Sequence, residues 1–324
     1  MTNNFSITRQ PRSGKRRLNN SHTRSVMTRD RLQMLVDDGF GYGRNEDYLP
    51  WIRITKGLSS KVSNLVVACT PVHRRSLHLL SVLEKTAAHS MAWLGVTEIR
   101  EQFPLFPWAA EHPMSGIDEL RDLRSDPAPA LQEIADRAGI PIGSYFGGKI
   151  PYVATTDLVV RVGEFPNDRL VFVSCKPLTK MTDPKTAPRV LERLELERRY
   201  AQAVGAHHVI FTGDEVCPRL KANLDWLMPY HSHLQDEAQT LRRQAFVQAF
   251  STTVEIQSIH ERVRASAHLC GIALSLAQED FRAAAWLGQI DIDLTQPVLM
   301  SKPIVRDVKQ RKAALRTRLL GGAQ

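Results

Sequence analysis

Three consecutive stretches decide the fold: VATTDLVVRV at residues 153–162, GEFPND at 163–168 and RLVFVSCK at 169–176. The outer two are rich in Val, Leu and Phe, which favour strands, and the link holds Gly, Pro, Asn and Asp, which reverse a chain. The sequence therefore predicts a β-hairpin. With its reversal centred near Phe165, Asp157 stands opposite Ser174, and the two-residue period of a strand places Lys176 on the same face.

Asp157 and Lys176 are charged residues near the ends of these apolar strands. Asp is depleted in strand interiors, and Lys176 stands immediately before Pro177, where the second strand ends. Either residue alone is typical of a solvated strand end. Together on one face of a hydrophobic sheet they cost free energy unless a metal ion or a partner compensates them. The hairpin therefore predicts a polar site at the edge of the sheet where these two strand ends lie.

A second carboxylate belongs to a predicted helix upstream. Apolar residues recur at intervals of three and four within residues 74–94, which predicts an amphipathic helix: Leu77, Leu80, Leu83, Ala87, Met91 and Leu94. Glu84 borders this stripe, although a glutamate there is usually solvated. Two carboxylates can hold a hard cation such as Mg²⁺.

The remaining periodicity predicts an α/β domain followed by a helical one. Up to residue 214 it predicts a strand at 97–105, a helix at 128–138, the hairpin, a charged helix at 188–204 and a strand at 207–212. This order describes a mixed sheet with helices on its faces. Helical segments follow at 220–228, 233–250, 256–277 and 278–287, then a short alternating run at 289–294. Several helices and a small β element are the layout of a winged-helix or related module.

The net charge of +9 is concentrated at the two ends of the chain. Residues 1–29 carry +7 and residues 302–318 carry +6, which leaves about −4 on the residues between them. We expect residues 1–30 to be disordered when free, because they are polar, basic and without hydrophobic periodicity. Cationic arms favour contact with nucleic-acid phosphates, although a basic tail also serves solubility alone.

The composition predicts a globular, cytoplasmic protein without a membrane partner. Hydrophobic residues make up 43% of 324, enough for a sizeable core, and no apolar run approaches the roughly 20 residues that cross a bilayer.

The charged run at 192–199 is interpreted as a solvated helix face. The cysteines are interpreted as free thiols and the paired histidines as surface or packing residues: Cys69, Cys175, Cys217 and Cys270, and His207, His208, His231 and His233.

Five pieces of the sequence together resemble TnsA, the family of endonuclease subunits of heteromeric bacterial cut-and-paste transposases. In order, they are LLSVLE at 79–84, REQFPL at 100–105, TTD at 155–157, Lys176 and LELERRY at 194–200. The resemblance implies a restriction-endonuclease-like α/β catalytic domain followed by a mainly helical, winged-helix-type domain. The expected boundaries are a basic, largely disordered arm at 1–50, the catalytic domain at 51–214, the helical domain at 215–300 and a basic tail at 301–324.

The resemblance also implies an activity, a cofactor and partners. It implies Mg²⁺-dependent hydrolysis, with Mn²⁺ as a substitute, of the DNA strands at the 5′ ends of a transposon in the bacterial cytoplasm. A partner transposase of the TnsB type would cut and join the 3′ ends. An ATPase regulator of the TnsC type is the further partner.

Carried over by position, the family's acids fall on Glu84 and Asp157 and its lysine on Lys176. The Cys175 main-chain carbonyl would complete the metal's ligands. Ser174 stands where most nucleases of this superfamily have Glu or Asp and where TnsA proteins often have Gln. We therefore expect Ser174 to line the site rather than to bind the metal.

Two other functions fit the same sequence. The basic ends and the helical C-terminal third also suit a DNA-binding or assembly module without catalysis. The acid and lysine pair also suits a restriction or repair nuclease that acts alone. Metal-dependent cutting in the presence of the partner transposase would exclude the first alternative, and efficient cutting without any partner would identify the second.

Overall fold

The computed structural model describes residues 7–9, 27–55, 64–145, 148, 150–307 and 310–321. The strands are β1 Val66–Thr70, β2 His73–Leu79, β3 Glu98–Leu105, β4 Ala154–Val162, β5 Arg169–Cys175 and β6 His207–Phe211. The helices are α1 Arg29–Asp37, α2 Val82–Trp93, α3 Glu119–Arg124, α4 Leu131–Ala138, α5 Leu178–Thr182, α6 Ala187–Ala203, α7 Pro218–Leu227, α8 His231–Gln235, α9 Glu237–Ser251, α10 Ile259–Cys270, α11 Leu274–Leu287 and α12 Arg311–Leu320. Within these ranges no helix is both long and apolar enough to cross a membrane. The four cysteines are free, as expected.

The central sheet has the strand order β3-β4-β5-β6. β3, β4 and β5 are antiparallel neighbours, and β6 runs parallel to β5. The predicted hairpin is confirmed, since β4 and β5 pair from Val162 with Arg169 to Leu158 with Val173. One step further in this register places Asp157 opposite Ser174, as the alternation of the two strands predicted.

The sheet is covered on one face by α4 and α6. Phe172 of β5 is fully buried, and its ring lies 6.0 Å from the rings of both Phe103 on β3 and Tyr200 on α6. Leu131 of α4 and Leu196 of α6 belong to the same apolar cluster. The mixed sheet with helices packed against it is therefore confirmed for this face, and its core fixes α6 against β5.

The helix predicted over residues 74–94 is wrong in its first third. Residues His73–Leu79 form strand β2, which pairs with β1, and the helix begins only at Val82. Leu77 and Leu79 are both fully buried, so the local apolar period is two. The spacing of three from Leu77 through Leu80 to Leu83 crosses the strand boundary and resembles a helical stripe.

Part of the stretch expected to be a largely disordered arm, residues 1–50, contains an ordered helix. Thr28 accepts a hydrogen bond from the Arg31 N–H and caps α1. Leu32 and Val36 of this helix are fully buried in a cluster with Phe106, Trp108 and Val153. The nine-residue helix buries too few residues to give a clear periodic signal. The basic residues at 10–26 lie outside the described residues.

The contacts divide the chain into two compact units: residues 1–68, 77–85 and 97–212, and residues 69–76, 86–96 and 213–324. In the second unit, the Phe250 ring lies 5.8 Å from both Phe246 and Phe281, which joins α9 to α11. The helix expected at 256–277 is divided at Gly271, whose positive φ of 63° ends α10.

The expected small β element at 289–294 is not formed. These residues are irregular, and the Asp293 N–H donates to the Val305 carbonyl. The winged-helix assignment is therefore not confirmed. The basic tail expected from residue 301 contains α12, which buries Leu319 and Leu320, so its last part is an amphipathic helix rather than a loose arm.

We expect Leu196→Ala to destabilise the first unit by about 2–5 kcal/mol, because it leaves a cavity beneath the sheet. Leu191 lies on the same helix but is 49% exposed, so Leu191→Ala should cost about 0.5 kcal/mol or less. Chemical denaturation of both variants measures the difference. Equal losses of stability would contradict the packing of α6 described above.

Candidate active site

Asp157 and Lys176 are in direct contact at the edge of the sheet. Asp157 Oδ2 accepts a hydrogen bond from Lys176 Nζ at 2.6 Å and another from the Cys175 N–H at 2.6 Å. Lys176 Nζ also donates to the Cys175 carbonyl oxygen at 3.1 Å. The Asp157 and Lys176 side chains are 13% and 22% exposed, so both are partly accessible from solvent.

The ends of two strands hold this pair in place. The Lys176 N–H donates to the Phe211 carbonyl at 3.0 Å, which continues the pairing of β5 with β6. Pro177 has no N–H to continue the ladder, and the chain leaves the sheet there. Lys176 is thus the last residue tied to the sheet, and its side chain turns back over the carbonyl of Cys175.

Glu84 is fixed at the start of α2 as part of the helix cap. The Glu84 N–H donates to Ser81 Oγ at 3.1 Å, and Ser81 Oγ donates to Glu84 Oε1 at 3.0 Å. Glu84 Oε2 accepts from the Leu80 N–H at 2.8 Å and from Gln102 Nε2 at 2.9 Å. The spacing Ser-x-x-Glu before an apolar run is the sequence signature of such a cap. Glu84 is 5% exposed, so it is not the solvated residue usual at such a position.

The electrostatics show that these groups share one site. Burial, followed by the negative charge of Asp157, raises the pKa of Glu84 to about 7. Burial alone would lower the pKa of Lys176, but Asp157 and Glu197 raise it above its ordinary value. Lys176 therefore stays protonated, while Glu84 gains or loses its proton near neutral pH.

Glu197 is a third carboxylate here, and the interpretation of residues 192–199 as a solvated face missed it. Glu195 does lie outside, paired with Arg198 at 2.8 Å and Arg199 at 2.6 Å. Glu197 is only 4% exposed, and burial together with Asp157 raises its pKa. The signal was its spacing, because Leu194, Glu197 and Tyr200 recur every three residues along the buried stripe of α6.

Ser174 turns toward Glu197 rather than toward Asp157. Its hydroxyl donates to Glu197 Oε2 and lies 2.7 Å from His208 Nε2. Burial, followed by the charge of Arg198, lowers the pKa of His208 to about 4, so this residue of β6 is neutral at neutral pH. The Ser174 hydroxyl therefore contacts Glu197 and His208 rather than the pair formed by Asp157 and Lys176.

The oxygen atoms of this site could hold a hard cation. Asp157 Oδ2 and the Cys175 carbonyl oxygen already share one positive group, the ammonium of Lys176, and carboxylate and carbonyl oxygens are preferred ligands of Mg²⁺. In the part of the chain that the structure describes, no three His, Cys, Asp or Glu side chains form a ready metal cluster. Ligands beyond Asp157 and Glu84 would therefore be main-chain oxygens and water.

Comparison with known proteins finds a family match that covers part of this site and leaves Glu84 outside it. Residues 95–213 match the family model described as TnsA-like endonuclease N terminal. The transposon Tn7 transposition protein TnsA of Escherichia coli is 33% identical over 195 residues, which cover 59% of this chain and 60% of that protein. The matched segment contains Asp157, Lys176 and Glu197.

The raised pKa of Glu84 predicts a pH-dependent stability. Between about pH 4.5 and 7 the folded state binds more protons at Glu84 than the unfolded state does, so the stability it contributes falls as the pH rises. Glu84→Gln removes this titration. In EDTA, we expect the melting temperature of the variant minus that of the wild type to rise by roughly 5 °C from pH 5 to pH 8. Glu133→Gln, at an exposed position of α4, is the control, and a constant difference for Glu84→Gln would contradict the burial of this carboxyl.

Proposed function

We propose that this chain, which is TnsA-like across residues 95–213, is a DNA endonuclease that hydrolyses the strand at the 5′ end of a transposon. The observation that supports it most is the contact of Asp157 with Lys176 at a sheet edge inside the matched segment. The match spans 60% of the length of the E. coli protein. The DNA substrate and the protein partners of this chain are therefore proposed here as well.

Glu84, Asp157 and the Cys175 main-chain carbonyl would hold one or two Mg²⁺ ions, with Mn²⁺ as a substitute. When bound, the metal supplies a Lewis acid that lowers the pKa of water and neutralises phosphate charge. Burial and the neighbouring charge of Asp157 raise the pKa of Glu84, and a bound cation would lower it again by stabilising the charged carboxylate.

Lys176 has two functions in this proposal. Its ammonium offsets the negative charge that develops on the phosphate during hydrolysis, and it positions the attacking water. Its present hydrogen bonds to Asp157 and Cys175 use the same oxygens that would hold the cation. We therefore propose that Lys176 moves toward the phosphate when the cation is bound.

DNA affinity would come from outside the nuclease site. The residues between the basic ends carry about −4 in total, so their summed charge does not favour binding to a duplex. We propose that the basic ends contribute general phosphate contacts and that a TnsB-type transposase delivers the transposon end. An ATPase of the TnsC type would regulate the assembly in the bacterial cytoplasm.

The direct test removes each proposed catalytic group. We expect Asp157→Ala, Glu84→Ala and Lys176→Ala each to reduce 5′-strand cleavage in Mg²⁺ by about 10³-fold or more while the variants remain folded, as circular dichroism checks. Asp136→Ala, on the exposed face of α4, is the matched control and should cut normally. Near-normal cutting by Asp157→Ala would exclude the nuclease assignment.

A second experiment tests the need for partners. We expect the isolated protein to be nearly inert on transposon-end and random DNA in Mg²⁺ or Mn²⁺, and to make end-specific 5′-strand cuts once the transposase and ATPase are added. Gel analysis of end-labelled DNA measures both. Efficient cutting of random DNA by the protein alone would instead identify an independent nuclease, and no metal-dependent 5′-strand cutting in the full mixture would favour a non-catalytic assembly module.

A further inference from the structure

Gln102 occupies a strained position in the middle of β3. Its φ is +48°, which is the left-handed region that a non-glycine residue adopts at a cost of roughly 1–3 kcal/mol. Its side chain is 1% exposed. Pairs on either side place Gln102 opposite Asp157: Glu101 with Leu158 and Phe103 with Thr156. The strain therefore coincides with the acid of the candidate active site.

The rest of the first unit stabilises this conformation. The Gln102 carbonyl accepts a hydrogen bond from the Trp51 N–H at 3.2 Å, so the turned peptide keeps a partner outside the β3–β4 ladder. Backbone strain of this kind persists where surrounding contacts fix it, and it concentrates at functional sites. Gln102 thus differs from the residues of β3 that pair regularly with β4.

The turned backbone aims the Gln102 side chain at Glu84. Gln102 Nε2 donates to Glu84 Oε2 at 2.9 Å, while Gln102 Oε1 accepts from Thr155 Oγ1 at 3.3 Å. These partners fix the orientation of the amide, because an ionised carboxylate accepts hydrogen bonds and the Thr155 hydroxyl can donate. Thr155 precedes Asp157 by two residues on β4. Gln102 therefore links the carboxyl on α2 to the strand that carries the second acid.

We propose that Gln102 is a positioning residue that fixes the Glu84 carboxylate relative to Asp157. The inference rests on the proposed nuclease function. Glu84 and Asp157 belong to different elements, and a cation bound by both requires their oxygens at a set separation. A partner that orients a metal-binding carboxylate typically changes metal affinity or activity by 10–100-fold when it is removed.

The test is isothermal titration calorimetry of Mn²⁺ with the full-length protein without DNA. The variants are Gln102→Leu, Asp157→Ala to identify the site, and Gln132→Leu as the matched control. Gln132 makes the same kind of bond, from Nε2 to Asp136 Oδ1 at 2.7 Å, on the exposed side of α4. We expect Gln102→Leu to weaken the Asp157-dependent site by about tenfold or more and Gln132→Leu to leave it unchanged.

Cleavage in the presence of the partners supplies a second measurement. We expect Gln102→Leu to raise the half-saturating Mg²⁺ concentration by about the same factor, with much of the activity recovered at saturating Mg²⁺. A purely structural role would instead lower the melting temperature and leave Mn²⁺ affinity and half-saturation unchanged. That pattern would overturn the proposal.

A double-mutant cycle tests the contact independently of metal and DNA. Melting temperatures of Gln102→Leu, Glu84→Ala and the double variant in EDTA should be non-additive by a few degrees, because the two side chains interact directly. Additive effects would overturn the proposal. If Asp157→Ala binds Mn²⁺ as the wild type does, the proposed nuclease site itself is wrong. If only Asp157→Ala loses the site and Gln102→Leu keeps full affinity, only the role of Gln102 is wrong.

Discussion

An imbalance of charge at the sheet edge is the constraint on which the rest of the site depends. Asp157, Glu84 and Glu197 bring three carboxylates into a largely buried region that holds one ammonium group, Lys176. Because burial penalises uncompensated charge, Asp157 raises the pKa of both other acids and helps to keep Lys176 protonated. Folding thus makes two of the three carboxyl groups harder to ionise, and a cation added between them would favour their charged forms.

The parts of this arrangement that depend on local pattern could be predicted from the sequence. The reversal at 163–168 and the two-residue period of its flanking strands are enough to bring Asp157 and Lys176 to one edge, and the structure places them in contact. Glu84 could be located only through the resemblance and the apolar stripe beside it. Its Ser-x-x-Glu cap carried a further signal that sequence reasoning did not use.

The rest depends on tertiary contacts that single-sequence patterns do not encode. Glu197 belongs to a helix dense in charge, and only the position of α6 on the sheet decides that this one acid faces inward. Gln102 lies within a strand pattern that gives no sign of a positive φ. The strand β2 was mistaken for helix because the apolar spacing of three crosses the point where one element ends and the next begins.

The parallel pairing of β6 with β5 has a consequence for the synthesis of this protein. The hydrogen bond from Lys176 to Phe211 spans the connection through α6, so the sheet edge around the lysine is complete only when residue 211 is available. A nascent chain emerging from the ribosome therefore carries Glu84 and Asp157 long before it can anchor Lys176, since such non-local strand pairing forms late. The contact between Asp157 and Lys176 therefore gains its full support from the sheet only after residue 211 has been synthesised.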